Sequence, residues 1–259
     1  MSTVLYEPKG AVVRITLNRP QAMNAFDLPT ARELGRRLEE FDKDDALRVA
    51  IVTGAGDKSF CAGADLKQMH GGSHAGGVGE LWGSEIQYRL GQRLQVAKPV
   101  IAAINGYCLA GGLELALGCD IRIASETASF GCPEVRWAIL HGFGAMRLPS
   151  TVPMSVAMEM LLTGEPISAA TAKAIGLVNQ VVAAGTERDA AIALAQKVAL
   201  KSAYTVRLGK EAFYRQAEMN LADAYRYAAQ VMTENMMARD AEEGIGAFIE
   251  KREPKWQDK

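Results

Sequence analysis

The chain has 259 residues, 49% of them hydrophobic and 23% charged, with a formal net charge of −1. A chain of this length buries roughly 70–75% of its unfolded surface, so it can build a sizeable core without disulfide staples. The near-neutral balance gives no electrostatic pull toward nucleic acid or an anionic membrane. No apolar run approaches the ~18 residues of a membrane span. The segment MSTVLYEPKG lacks the basic and apolar regions of a signal peptide, and a cytoplasmic protein is expected. Cys61, Cys108, Cys119 and Cys132 form no C-x-x-C pair and read as buried free thiols.

In chain order, AVVRITL (11–17) is alternating and β-branched and predicts a strand, as does RVAIVT (48–53). Between them LPTARELGRRLEEFDK predicts a helix, with Asp27 as its cap, Pro29 in its first turn and Leu34, Leu38 and Phe41 on one face. Its charges alternate in sign, which reads as a solvated, salt-bridged face rather than a basic stripe for RNA. VTGAGDKSF contains Gly54-x-Gly56, but Ser59 stands where a dinucleotide fingerprint needs its third glycine, so a turn after a strand suffices. The glycine-rich segment from His70 to Gly83 predicts a mobile surface loop. His70 and His74 within it have no third ligand in reach and read as solvated. A long amphipathic segment (80–97) leads to the strand PVIAAI (99–104), a helix opened by two glycines, and the strand DIRIA (120–124). This alternation predicts an α/β core. After LVNQVV (177–182), residues 187–251 predict nearly continuous helix, too apolar to stand alone and expected to pack on the core or on another subunit.

Three features carry chemistry. Glu114 lies in LAGGLELALGCD, amid Leu113, Leu115 and Leu117 and behind Gly111 and Gly112. It reads either as a first-turn glutamate satisfying backbone donors or as an acid or base beside an N–H group able to hold an oxyanion. Glu134, in FGCPEVRWAIL, is a second carboxylate near apolar packing, and two carboxylates in different surroundings can divide acid and base roles. In CAGADLK, Gly63 between alanines permits close backbone approach and a second exposed N–H. His141, in LHGFG, reads as a turn or pocket residue.

The segments FCAGADLK (60–67), IAAINGYCLAGGLELALGCDIRIA (101–124), FGCPE (130–134) and MLLTGEPISAATAKAIGLVNQVV (160–182) together resemble the crotonase (enoyl-CoA hydratase/isomerase) superfamily, and the likeness runs from TLNRPQAMNAF to GIGAFIEKREPKW. The resemblance implies an α/β fold with a crotonase-like core of repeated β-β-α units (1–198) and a C-terminal helical oligomerisation region (199–259) that builds homotrimers or hexamers. It implies a coenzyme A thioester as substrate, with no permanently bound cofactor and no metal. By the same resemblance, the N–H groups of Ala64 and Gly111 form the oxyanion hole. Coenzyme A lies along Ala62, Ala64, Asp65, Leu66 and Lys67, with Met23, Ala25 and Gly111 alongside and Phe248 and Lys251 reaching in from a neighbouring subunit. Glu114 activates the water that adds at C3 and Glu134 exchanges the proton at C2, which makes the expected reaction hydration of a 2-enoyl-CoA. Isomerase, hydrolase and retro-aldol chemistry are the family's alternatives. The chain departs from the family pattern after Glu134, in VRWAILHGFGAMRL, where Trp137 and Phe143 are expected to shape the acyl pocket.

Overall fold

The computed structural model describes residues 2–67, 94 and 96–259, with the side chains of residues 143 and 144 excepted. His70, His74, the glycine-rich segment and nearly all of 80–97 lie outside the described residues. Two sheets organise the chain. The larger takes Val4–Lys9 (β1), Val12–Leu17 (β2), Val49–Gly54 (β3), Val100–Ile104 (β5), Ile121–Ser125 (β7) and Gln180–Val182 (β10) in the order β1-β2-β3-β5-β7-β10. All its neighbours are parallel except β1 and β2. The smaller takes Ser59–Cys61 (β4), Tyr107–Leu109 (β6), Ser129–Gly131 (β8) and Ile167–Ser168 (β9), with β4, β6 and β8 parallel. Each of β3, β5 and β7 in the large sheet is thus followed by a short strand of the small one, as the repeated unit requires.

Strand period decides which side chains fill which layer. Val49, Ile51, Ile101 and Ala103 face Ala191 and Ala195 of the helix Glu187–Ala199, while Ala50, Val52, Ala102 and Ile104 face the main core with the helices Leu28–Lys43 (α1) and Gly111–Gly118 (α2). Because both faces are covered, β3 and β5 read as continuous apolar runs. The cap of α1 is as expected: Asp27 Oδ1 accepts from the Thr30 N–H at 2.8 Å. Glu33, Arg36, Arg37 and Glu40 tie off its outer face. The Gly54-x-Gly56 turn is tied to the rest of the chain through its carbonyls: Arg188 donates to those of Gly54 and Gly56, and Asn105 also to that of Gly56.

The expected continuous helix is instead four: Glu187–Ala199, Ala203–Gln216, Leu221–Met236 and Arg239–Glu250. Ser202 and Asn220 each accept from the N–H three residues on, and these caps favour a new start over continuation. The second of the four is moored to the core through Asp120, whose carboxylate accepts from Lys210 at 2.7 Å and from the Tyr214 hydroxyl at 2.9 Å. Among the described residues no helix is long and apolar enough to cross a membrane.

All four cysteines are buried and unbridged, and burial pushes Cys61, Cys119 and Cys132 up to about 12. A thiol reagent applied to the native protein is therefore expected to modify none of them, and to modify all four once the chain is unfolded. One fast-reacting native thiol would contradict this burial.

Candidate active site

The small sheet sets the site. β4, β6 and β8 are adjacent and parallel, with Cys61 opposite Cys108 and Leu109 opposite Gly131, so their carboxyl ends fall together. Chain leaving those ends carries Ala64, then Gly111 and Glu114, then Glu134. Three separate sequence motifs thereby meet at one edge, the position where parallel sheets place their ligands.

Close backbone approach explains the glycines. Gly63 has φ +94°, and a Cβ there would lie 2.6 Å from the Ala110 Cβ and 3.1 Å from the Gly111 nitrogen. A Cβ on Gly112 would meet the Cys61 carbonyl oxygen at 2.0 Å. Ala110 adopts φ 52°, ψ −127°, a conformation costly for a residue with a side chain, and donates its N–H to the Gly131 carbonyl at 2.9 Å. That strained corner turns the chain directly from β6 into α2. A Cβ built on Gly111 would stand 3.9 Å from the Ala64 nitrogen, so the two expected oxyanion donors are neighbours. Both residues are half-buried, and no hydrogen bond between described residues uses either N–H.

Met23 and Ala25 run beside the same corner. The Ala62 N–H donates to the Met23 carbonyl at 3.1 Å, the Phe26 N–H to the Gly63 carbonyl at 2.7 Å, and the Asp65 N–H to the Phe26 carbonyl at 2.8 Å. Asn24 makes this loop possible. It takes a left-handed φ of 55°, which asparagine tolerates, and its buried amide bonds the Arg19 N–H and the carbonyls of Ala55 and Ser59. Leu66 and Lys67 follow, both exposed.

Glu114 is 5% exposed, in the first turn of α2. Gly142 packs directly on its carboxylate: a Cβ at 142 would come within 2.2 Å of Oε1 and 2.8 Å of Oε2. Glu134 sits in the short helix Pro133–Trp137, with Oε2 buried and no hydrogen-bond partner for it among the described residues. Burial raises its carboxyl above the ordinary carboxylate value, against smaller pulls from its own backbone and from His141. Burial first, and then the charges of Glu134 and Glu114, hold the Cys132 thiol up. Asn24, Arg19 and Gly142 were not singled out by sequence reasoning. The first two are signalled only by the NRP and MNAF strings, and Gly142 by the glycine spacing in LHGFG.

Trp137 is 67% exposed in the single chain. The Phe143 side chain lies outside the described residues. Phe248 is 84% exposed and Lys251 ends the last helix in a left-handed turn. An open cleft of about 400 Å³ lined by Arg48, Lys98 and Tyr204 lies apart from the strand ends and includes none of the expected site residues.

Comparison with known proteins is consistent along the whole length. A family profile described as enoyl-CoA hydratase/isomerase matches residues 7–259. The chain is similar to the (E)-benzylidenesuccinyl-CoA hydratase of Thauera aromatica, with 40% identity over 256 residues and 97% of each chain covered. It is also similar to the short-chain-enoyl-CoA hydratase of Clostridium acetobutylicum, 38% identical over 254 residues, covering 97% of this chain and 96% of the relative. Among solved structures, the enoyl-CoA hydratase from Bacillus anthracis superposes with a TM-score of 0.94 at 38% identity, covering 99% of this chain and 100% of that one.

Proposed function

Since the chain belongs to the enoyl-CoA hydratase/isomerase family, we propose that it adds water across the C2–C3 double bond of a 2-enoyl-CoA thioester to give a 3-hydroxyacyl-CoA. The observation that carries this reading is the convergence of two N–H groups and two carboxylates at the ends of β4, β6 and β8. The thioester oxygen accepts from Ala64 and Gly111. Glu114 takes a proton from water as its oxygen bonds to C3, the double-bond electrons move onto the thioester oxygen, and Glu134 delivers a proton to C2 as that enolate collapses. Glu114 then releases its proton and Glu134 recovers one. Donors aimed at a developing oxyanion are worth about 3–4 kcal/mol each in comparable sites. The raised carboxyl of Glu134 suits a proton donor, while Glu114, facing the Gly142 backbone, serves as the base.

Coenzyme A is assigned to the backbone from Ala62 to Lys67 beside Met23 and Ala25, and the acyl group to the side of Trp137 and Phe143. Exposed Phe213, Tyr225, Met232, Ile245, Phe248 and Ile249 on the last three helices support a homo-oligomer, of trimer or hexamer size, in which Phe248 and Lys251 face a neighbouring site. Straight-chain, branched and aromatic 2-enoyl-CoA thioesters assayed by mass spectrometry test the reaction. Hydration adds the mass of one water, isomerisation adds nothing, and hydrolysis or retro-aldol cleavage releases a smaller thiol or thioester. Unchanged mass or cleavage across the panel would overturn the reading.

A further inference from the structure

Arg19 reaches three segments of the site's frame. It leaves β2 just ahead of the turn Pro20–Ala22, with a side chain only 11% exposed. Its Nη1 donates to the Ala25 carbonyl at 2.6 Å. Its Nη2 lies 2.8 Å from Asp65 Oδ2 and 3.3 Å from Asp27 Oδ2, two carboxylates as buried as itself. Its own N–H goes to Asn24 Oδ1 at 3.0 Å, and its carbonyl accepts from the N–H groups of Ala22 and Asn24 at 2.9 Å. The planar fork therefore ties the loop 22–25, the cap of α1 and the residue after Ala64 into one unit, which a point-like ammonium cannot do.

The consequence falls on Ala64. Gly63 and Asp65, on either side of it, are bonded to Phe26, forming a parallel bridge between Phe26 and Ala64. In such a bridge the intervening N–H points away from the partner strand's backbone, and Gly111 is close by, since a Cβ built on it would stand 3.9 Å from the Ala64 nitrogen. The direction of that N–H depends on where Asp65 is held. We propose that Arg19 is a positioning residue for the reaction, aligning the Ala64 N–H with the Gly111 N–H through Asp65 and Ala25; this rests on the oxyanion assignment proposed above. Arg19 faces inward to carbonyls and carboxylates already in contact with it, so it acts through the backbone and touches no substrate.

The test uses acetoacetyl-CoA, a thioester whose bound enolate has its own ultraviolet band and whose enolate oxygen reports the two donors directly. Arg19→Lys keeps the buried charge but loses the fork, so it guards against a variant that fails to fold, and Arg19→Met removes both. The expected result is a graded loss. The enolate fraction of bound probe falls in Arg19→Lys and further in Arg19→Met, and kcat for an enoyl-CoA drops about 10–10²-fold with KM changed far less, the signature of misaligned rather than missing contacts. If both variants only lower the melting temperature and keep the wild-type enolate band and kcat per folded site, Arg19 is merely structural and the proposal is overturned. If wild-type protein itself shows no enrichment of bound enolate, the oxyanion assignment fails first and takes the proposal with it.

Discussion

Glu134→Gln is expected to cut hydration by about 10²–10⁴-fold, the range for loss of a positioned proton donor, and at the same time to raise the melting temperature at neutral pH. Both effects come from one observation: Oε2 of Glu134 is buried with no hydrogen-bond partner among the described residues, and burial pushes its carboxyl up. A group whose pKa is higher in the fold than in the unfolded chain stabilises the fold when protonated. That stability is complete below the ordinary carboxylate value and is lost as pH rises through the raised one. Glutamine has the same shape and no charge to lose, so its advantage should be largest at neutral pH and vanish in acid. Thermal unfolding of both proteins across about pH 4 to pH 8 measures it. The rate carries the same sign. Hydration needs Glu134 protonated, so kcat/KM should decline on the alkaline side of that raised value, and the reverse dehydration should rise there. A variant with wild-type turnover, or one less stable than wild type at neutral pH, would remove Glu134 from its assigned role.

The second large effect is expected at a residue with no functional group. Gly142→Ala places a methyl within 2.2 Å of Glu114 Oε1, a contact that forces one of them to move. The backbone does not object to alanine, since Gly142 has φ −75° and ψ 177°. The clash alone is being tested. Glu114 is 5% exposed and framed by buried leucines, so its carboxylate cannot swing freely aside. Overpacking of this kind costs about 1–3 kcal/mol, and displacing a base by about 1 Å costs about 10²-fold in kcat. The stability cost should disappear when Gly142→Ala is made in a Glu114→Ala background, where the space is empty. Equal costs in both backgrounds would mean that the two residues do not press on each other.

Much of this arrangement was legible from residue order. The strands at 12–17, 49–54, 100–104 and 121–125 follow β-branched apolar runs, and α1 follows its cap and its leucine spacing. The whole second sheet was not: β4, β6 and β8 have 3 residues each, too few to show a period, and FCAGADL reads only as extended or turning. Edge strand β1 was missed as well, because VLYEPK mixes apolar, charged and proline residues. The breaks at Ser202 and Asn220 were overlooked since single cap residues barely interrupt a helical composition.

For the site, sequence alone determined the chemical inventory: a glutamate behind paired glycines, another after a proline, and a glycine flanked by alanines, each a local choice written in adjacent residues. Their meeting was decided by tertiary structure, because pairing of β4 with β6 and of β6 with β8 joins segments tens of residues apart and leaves no local trace. The same holds for Gly142 against Glu114 and for Arg19 against Asp65. Contacts of this kind depend on which side chains the packed sheet brings face to face, and no periodicity along the chain encodes them.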